Sequence, residues 1–267
     1  MPQSRPSLFR TILNLLINPY RLNDSALYSL YLRIRYPSYH YQKHKEKIFY
    51  ARLIEENGGD LVFDIGANSG QKAALFRKYS KQVICVEPDP SAIEQLQARF
   101  ADSSDVVVVH KGVGSATAEL TFYSLGPASP LNSFSRQWSE AHAGQVAASE
   151  LKVEMVTLDH LITTYGEPSY IKIDVEGYEL EALQGLTLPI QLLSFECNLS
   201  HFRHQTLECI AYLDKLQAGM FNYSKSEPPI DFESSQWLHG PEMAEVVACA
   251  NHDYMEIYFQ STKLKLN

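Results

Sequence analysis

The sequence lacks three features that would each indicate a common class of protein: paired cysteine motifs, long apolar runs and an excess of positive charge. Its four cysteines include no Cys-x-x-Cys spacing, which argues against a disulfide scaffold and favours reduced core cysteines in a cytosolic protein. No apolar run approaches the roughly 20 residues of a membrane span, and the N-terminus shows no signal-peptide cleavage pattern. The net charge of −8 matches bulk nucleic acid poorly, so we expect no nucleic-acid partner.

The charge is unevenly distributed, because the first 50 residues carry eight basic side chains and two acidic ones. This segment is therefore +6, and the remainder of the chain is −14. Residues 1–57 are predicted to form a helical cap or extension, with an apolar face over Leu8–Ile17 and further helices over Ser25–Tyr36 and Tyr41–Glu56. Two interpretations stay open for residues 1–50: a cap packed on the core, or a peripheral contact with the inner face of a membrane.

The best-defined motif is the stretch Leu61–Gly70, in which a buried strand leads through an acid and a two-glycine turn into a helix. Such a turn lets the backbone approach a ligand, and the helix N-terminus offers free N–H groups to an anion. The next predicted strand, Gln82–Val86, is followed by Glu87, which is placed to accept both hydroxyls of a ribose. The glycines at positions 66 and 70 depart from the Gly-x-Gly-x-x-Gly pattern of dinucleotide sites. S-adenosylmethionine is therefore favoured over NAD, and an NAD-dependent oxidoreductase is the less favoured alternative.

Strand-like and helix-like segments alternate from Leu61 onward, which predicts a parallel α/β sheet with right-handed crossovers. The third strand, Val106–Val109, leads to Gly112 and Val113, where we expect the backbone to approach an adenine ring. The segment Ser124–Gln145 fits no regular element and is predicted to be an active-site loop. Its best polar candidates are Asn132 and Ser133.

Acidic side chains follow two later strands of the predicted sheet. Asp174 and Glu176 come directly after the short strand Tyr170–Ile173, and Glu196 ends the next strand. Ligands of open α/β sheets bind at the carboxyl ends of the strands, so we expect these acids to line a site. They are candidate general bases, as is His201 shortly after them, and the three acids are alternatively candidate Mg²⁺ ligands. The residues alone do not choose between a base and a metal.

Together these residues resemble the FkbM family of S-adenosylmethionine-dependent methyltransferases. The resemblance covers about residues 58–262, and it rests on FDIGANSG at 63–70 with Glu87-Pro88 and on IKIDVEGYE at 171–179. It implies a Rossmann-like seven-stranded methyltransferase sheet, mostly parallel with one antiparallel strand and with helices on both faces. Tyr254–Gln260 is the natural candidate for the antiparallel strand. Residues 58–267 would then form one S-adenosylmethionine-binding domain.

The resemblance also implies methylation of a hydroxyl group on a small molecule, a sugar or a glycan. Asp64 would meet the cofactor's ammonium, Glu87 its ribose, and the turn its methionine end. The full set of predicted cofactor contacts is Asp64, Gly66, Asn68, Gly70, Glu87, Gly112, Val113 and Asp174. The predicted catalytic residues are Asp174, Glu176, Glu196 and His201. The alternative from another class is a catalytically inactive cofactor-binding or scaffold protein, recruited to a membrane or partner through its basic N-terminus.

Overall fold

The computed structural model describes residues 26–143 and 149–263. The predicted apolar face Leu8–Ile17 and the basic residues beside it lie outside the described residues. Across the described ranges, no helix combines the length and the apolar character that crossing a bilayer requires.

A seven-stranded sheet with the strand order β3-β2-β1-β7-β8-β10-β9 organises the fold. Its strands are β1 (Leu61–Ile65), β2 (Gln82–Glu87), β3 (Val106–His110), β7 (Tyr170–Ile173), β8 (Leu192–Asn198), β9 (Gly219–Ser224) and β10 (Tyr254–Ser261). Strand β10 pairs antiparallel with both β8 and β9. The pairs β3–β2, β2–β1, β1–β7 and β7–β8 are parallel. The predicted fold class is confirmed, including the antiparallel strand at Tyr254–Gln260.

A smaller sheet of three strands lies beside the large one in the order β4-β6-β5. These strands are β4 (Gly112–Val113), β5 (Glu119–Ser124) and β6 (Ser149–Val156). Strand β6 pairs in parallel with β4 and antiparallel with β5. Strand β4, with Gly112 and Val113, contacts β2 of the large sheet.

Helices cover both faces of the large sheet. They are α1 (Ala26–Arg35), α2 (Pro37–Glu55), α3 (Gln71–Phe76), α4 (Pro90–Arg99), α5 (Arg136–His142), α6 (Leu158–Tyr165), α7 (Glu179–Gln184), α8 (Leu199–Leu216) and α9 (Gly240–Cys249). One core cluster packs α6, α7, α8 and α9 against the sheet, and a second packs α2, α3 and α4 against the opposite face. Buried side chains therefore alternate between the two faces along each strand.

Helix α2 belongs to the second core and is more than a surface appendage. Phe49, Tyr50, Leu53 and Ile54 recur at helical spacing and are at most 6% exposed. Pro37 occupies the first turn of α2, where its missing N–H is tolerated, and this turn separates α2 from α1. The C-terminal part of the predicted cap therefore packs on the same sheet that carries the site.

Helices α5 and α9 lie in segments for which we predict no helix from the sequence. Helix α5 falls inside Ser124–Gln145, so the expectation of no regular element there is wrong. The Ser135 hydroxyl caps it by accepting the N–H of Trp138, whose buried ring anchors the helix, and this burial is a tertiary feature. Helix α9 fills part of the connection between β9 and β10. The expectation of core cysteines also fails at Cys249, which is exposed.

Candidate active site

One cavity of about 470 Å³ opens at the carboxyl ends of β1, β2, β7 and β8, where ligands of open α/β sheets bind. Its size lies in the range of cofactor sites, about 300 to 1,000 Å³. The predicted site residues that line it are Asp64, Gly66, Asn68, Glu87, Gly112, Val113, Asp174, Glu176 and Glu196. Gly70 and His201 are not among the lining residues.

The turn between β1 and α3 is shaped by backbone geometry. Gly66 has φ +81°, and a Cβ there would come within 1.7 Å of the carbonyl oxygen of Asp174. Gly70 has φ +76°, and a Cβ would press on Leu96 and the ring of Phe100 at 2.7 Å. The glycine spacing thus lets the turn pack against β7 and α4, in addition to opening the backbone toward a ligand.

Glu87 closes the same turn from the end of β2. Its carboxylate accepts the backbone N–H groups of Asn68 and Asp89, each at 2.8 Å. The side chain is 6% exposed, and burial raises its pKa to about 7 although the two N–H groups oppose the rise. A carboxylate held in this way is a fixed acceptor that faces the cavity.

Asp64 lines the cavity and carries an unsatisfied buried acceptor. It is 1% exposed, and its Oδ2 is buried with no hydrogen-bond partner among the described residues. Burial raises its pKa to about 6, while the nearby charge of Lys172 opposes the rise. A buried acceptor without a donor is costly to the protein alone, so this oxygen fits a cationic donor group on a ligand.

The second half of the cavity holds the three acids at the ends of β7 and β8. Carboxylate oxygens of Asp174, Glu176 and Glu196 lie within 4.8 Å of one another. Burial and then the charge of Asp174 raise the pKa of Glu176 to about 9, and the same two causes raise the pKa of Glu196 well above its usual range. The raised pKa values keep Glu176 and Glu196 largely protonated near neutral pH, although the charge of a nearby lysine opposes the rise.

Lys172 is the cation already present, and sequence reasoning assigned it no role. Its side chain is 3% exposed, and its Nζ lies 2.5 Å from Oδ2 of Asp174. Burial alone would lower its pKa, but Asp174, Glu256 and the other surrounding carboxylates raise it well above the usual range. Lys172 is the charged residue of the otherwise apolar strand β7, and a lysine in a buried strand needs a partner, which was the signal available in the sequence.

The motif after β7 is held in an unusual backbone conformation. Glu176 has φ +51°, which is uncommon for a residue with a Cβ and clusters at functional sites. The Ser133 hydroxyl donates to its carbonyl at 2.7 Å, while the buried carboxylate of Glu179 accepts the N–H groups of Gly177 and Val175. The loop that contains Ser133 and the start of α7 therefore fix the direction of the Glu176 side chain.

The loop candidate Asn132 supports the cofactor half of the cavity. Its Nδ2 donates to Oδ2 of Asp89 at 2.6 Å, and Asp89 also accepts the N–H of Ala128 at 3.0 Å. Phe134 from the same loop lies against Gly112, where a Cβ would meet its ring at 2.5 Å. These contacts build an apolar wall beside the backbone of β4.

His201 lies away from the acids, in the first turn of α8. Its Nδ1 lies 3.1 Å from Oδ1 of Asn198, and its ring packs 5.4 Å from Trp138 and 5.3 Å from His142. The structure therefore brings together the three predicted acids but not the predicted histidine. Its catalytic role stays a prediction without a cavity contact to support it.

Charged side chains outside the predicted set of site residues also line the cavity. Glu227 lines it from the connection after β9, and Lys72 lines it from α3. The Lys72 ammonium is paired at 2.5 Å with Glu46, a buried residue of α2. Helix α2 thus contacts a cavity-lining lysine directly.

The strand order, the single antiparallel strand and the position of the cavity define a Rossmann-like α/β protein of the seven-stranded methyltransferase class. The family model described as the methyltransferase FkbM domain matches residues 64–223, which is more than half of the chain. The chain belongs to this family, and the resemblance inferred from its two motifs is confirmed.

The chain is also similar to individual methyltransferases, at low sequence identity. The chain is 27% identical over 151 residues to the hexuronic acid methyltransferase AglP of Haloferax volcanii. The aligned segment covers 54% of this chain and 56% of AglP, so the chain spans little more than half of that protein. Among solved structures it is similar to the O-methyltransferase from Bacillus cereus in complex with SAH, with 10% identity, a TM-score of 0.43 and coverage of 82% and 81% of the two chains. It is also similar to the O-methyltransferase TomG from Streptomyces achromogenes, with 9% identity, a TM-score of 0.42 and coverage of 81% and 79%.

Proposed function

We propose that the protein transfers a methyl group from S-adenosylmethionine to a hydroxyl oxygen of a small molecule or carbohydrate. The observation that supports this most is one cavity whose first half offers Asp64 and Glu87 and whose second half offers three clustered acids. S-adenosylmethionine, when bound, supplies a methyl group whose bond to the cationic sulfur breaks as the acceptor oxygen forms its bond to carbon. The residues of the chain must then align the acceptor and take up its proton.

The cofactor half of the cavity fits the charges of S-adenosylmethionine. The unpartnered Oδ2 of Asp64 is suited to the ammonium, and the fixed carboxylate of Glu87 is suited to the ribose hydroxyls. The rings of Phe122 and Phe134 offer the adenine an apolar wall beside the backbone of Gly112 and Val113.

We assign the proton acceptor to Glu176. Asp174 is already engaged by Lys172, whereas Glu176 and Glu196 both line the cavity with raised pKa values. We choose Glu176 because its backbone is held at φ +51° by the contacts of Ser133 and Glu179. A raised pKa makes the ionised form a stronger base, and the positive charge of the bound cofactor favours that ionised form. Lys172 and Asp174 act as a fixed ion pair that positions the end of β7.

Two arguments support a hydroxyl group, and in particular one on a carbohydrate, as the methyl acceptor. Alcohols are weak nucleophiles, and a carboxylate beside the acceptor oxygen addresses that weakness. AglP is a hexuronic acid methyltransferase by name, and this supports a carbohydrate acceptor for this chain as well.

The first test of this proposal is cofactor binding measured by calorimetry. S-adenosylmethionine is expected to bind and NAD is not. Glu87→Gln is expected to weaken cofactor binding by about tenfold to a hundredfold, since hydrogen bonds to a charged group contribute about 1.5 to 3 kcal/mol. Glu94→Gln on the exposed side of α4 is the matched control and should bind as the parent does.

Equal affinity in Glu87→Gln and Glu94→Gln would show that the ribose is not held at Glu87. Binding of NAD in preference to S-adenosylmethionine would contradict the proposed chemistry. Binding without turnover on a broad panel of hydroxyl acceptors would favour the alternative of an inactive cofactor-binding protein.

The second test asks whether the acids hold a metal. We expect EDTA to leave methyl transfer unchanged, because Lys172 already places a positive charge 2.5 Å from Asp174. Turnover is compared with EDTA, with EDTA plus excess Mg²⁺, and without either, while cofactor affinity is measured in parallel. Loss of transfer with EDTA and its recovery with Mg²⁺, at constant cofactor affinity, would instead assign the three acids to a metal.

A further inference from the structure

The exposed surface around α1 and the N-terminal half of α2, where no described side chain from Ser29 to Lys45 is buried, is apolar and basic at once, and we propose that it docks on a bilayer containing anionic phospholipid. We call this surface the tyrosine face. It consists of Leu30, Tyr31, Arg33, Ile34, Arg35, Tyr36, Tyr39, Tyr41, Lys43, Lys45, Lys47 and Ile48. It is distinct from the predicted apolar face Leu8–Ile17.

Exposure of large apolar side chains is concentrated on this face. Seven of the eight exposed large hydrophobic residues among the described residues lie between Leu30 and Ile48, and Ile230 is the eighth. Their exposure runs from 42% at Ile48 to 76% at Ile34. Single exposed apolar residues are ordinary on a protein surface, but a group of seven within nineteen positions indicates an interaction surface.

The face is held in place by the rest of the fold. The C-terminal half of α2 is buried in the core from Glu46 onward, and this anchors the N-terminal half of the helix, which carries no buried residue. Helix α1 folds back at Tyr36, where the Tyr31 ring lies 6.2 Å from the Tyr36 ring and Ser29 Oγ lies 3.2 Å from His40 Nε2. These contacts therefore hold the two helices together as a helical hairpin.

Basic side chains lie directly over the exposed rings. Arg35 lies 5.1 Å from the Tyr36 ring centroid, Lys45 lies 5.8 Å from that of Tyr41, and Lys43 lies 5.9 Å from that of Tyr39. Tyrosine, lysine and arginine together are the residues that anchor proteins at the interface between lipid headgroups and acyl chains.

The charge of the face selects an anionic bilayer over other partners. Its five basic residues are opposed on the same segment only by Glu46, which is buried and paired with Lys43 and Lys72. A second copy bound through the same face would bring positive charge against positive charge. A nucleic acid would neutralise the basic residues but leave Ile34 and Leu30 in water, whereas an anionic bilayer accommodates both features.

The test is co-sedimentation of the full chain with vesicles of phosphatidylcholine alone or with about 30% phosphatidylglycerol. Binding to the anionic vesicles is expected, and it should weaken as salt screens the surface charges, since the Debye length is about 8 Å at physiological ionic strength. Lys45→Glu/Lys47→Glu and Ile34→Ser/Tyr41→Ser are each expected to lower partitioning at least about tenfold. The matched controls, Lys152→Glu/Lys263→Glu and Ile230→Ser, should bind as the parent does.

All substituted side chains are partly or fully exposed, and an unchanged melting temperature and cofactor affinity will verify that each variant is folded. The proposal is overturned if the parent does not bind anionic vesicles at low salt. It is equally overturned if the control variants lose as much binding as the face variants. Concentration-dependent self-association that the face variants abolish, without vesicle binding by the parent, would assign the face to a second copy instead.

Discussion

Replacing Glu176 by glutamine is expected to slow methyl transfer by about 10²- to 10⁴-fold, the usual contribution of a positioned general base. Glutamine keeps the size of the side chain and its hydrogen-bonding reach, so the loss reports the proton acceptor. Cofactor affinity should change far less than turnover. Rapid-quench or steady-state transfer to an active hydroxyl acceptor provides the rate, and calorimetry provides the affinity.

The pH dependence of kcat/KM shows whether Glu176→Gln has lost a general base or has a distorted site. Burial and Asp174 raise the pKa of Glu176 to about 9, so kcat/KM of the parent enzyme for the cofactor should rise with pH and level off near that value. In Glu176→Gln this upper rise should disappear. Any remaining rise should follow Asp64 and Glu87, whose pKa values burial raises to about 6 and about 7.

The neighbouring acids supply the comparison. Glu181→Gln, on α7 and outside the residues that line the cavity, should transfer as the parent does. If Glu196→Gln or Asp174→Asn abolishes the rise in rate toward pH 9 and Glu176→Gln does not, the base is the other acid. Near-parental turnover in all three variants would contradict the assignment of the base to this group.

Replacing Lys172 by methionine is expected to destabilise the protein by about 3 to 5 kcal/mol at neutral pH. Methionine has a similar volume, but it leaves Asp174, Glu196 and Glu256 close together without the cation between them. Removing one partner of a buried ion pair is strongly destabilising, because the remaining charge is neither solvated nor paired. The measurement is urea unfolding followed by circular dichroism, extrapolated to water.

The pH dependence of this deficit has a definite sign. Without Lys172, the folded-state pKa values of the nearby carboxyl groups rise further, because the lysine lowers the pKa of Asp64 and of Glu196 in the parent. Groups with a raised folded-state pKa destabilise the fold as pH rises through that pKa. The deficit of Lys172→Met relative to the parent should therefore be largest at neutral and alkaline pH and shrink in acid.

An exposed ion pair provides the control. Lys81 lies 2.5 Å from Asp60, with 81% and 64% of the two side chains exposed, so Lys81→Met should cost no more than about 1 kcal/mol. The double variant Lys172→Met/Asp174→Asn should recover part of the stability lost in Lys172→Met. A deficit equal to that of Lys81→Met, or one that does not vary with pH, would contradict the role given to Lys172.

The sequence by itself determined the parts of the protein that depend on neighbouring residues. The turn from Asp64 to Gly70, the acid that follows β2 and the acids that follow β7 were all predictable. Each is a short polar or glycine-containing segment at the end of an apolar strand, and alternating strands and helices force a parallel sheet. Tyr254–Gln260 was also predictable as a strand, and the resemblance to the family supplied its antiparallel direction.

The helices α5 and α9 and the position of His201 were decided by tertiary structure. Helix α5 depends on burial of Trp138 against Phe202, which no local pattern in a serine- and alanine-rich segment reveals. His201 follows β8 closely in sequence, but the first turn of α8 carries its ring toward Trp138. Distance along the chain therefore did not predict distance from the cavity.

The charge balance of the site and the exposure of the tyrosine face were also decided only in three dimensions. Strand order and register bring β1, β7 and β8 side by side, and this gathers Asp64, Lys172, Asp174 and Glu196 from positions far apart in the chain. The N-terminal segment showed its basic charge in the sequence, but which of its apolar residues are buried depends on the side of α2 that meets the sheet. Electrostatics and burial act through space between non-local residues, so a linear pattern cannot fix them, whereas it can fix turns, strands and motifs.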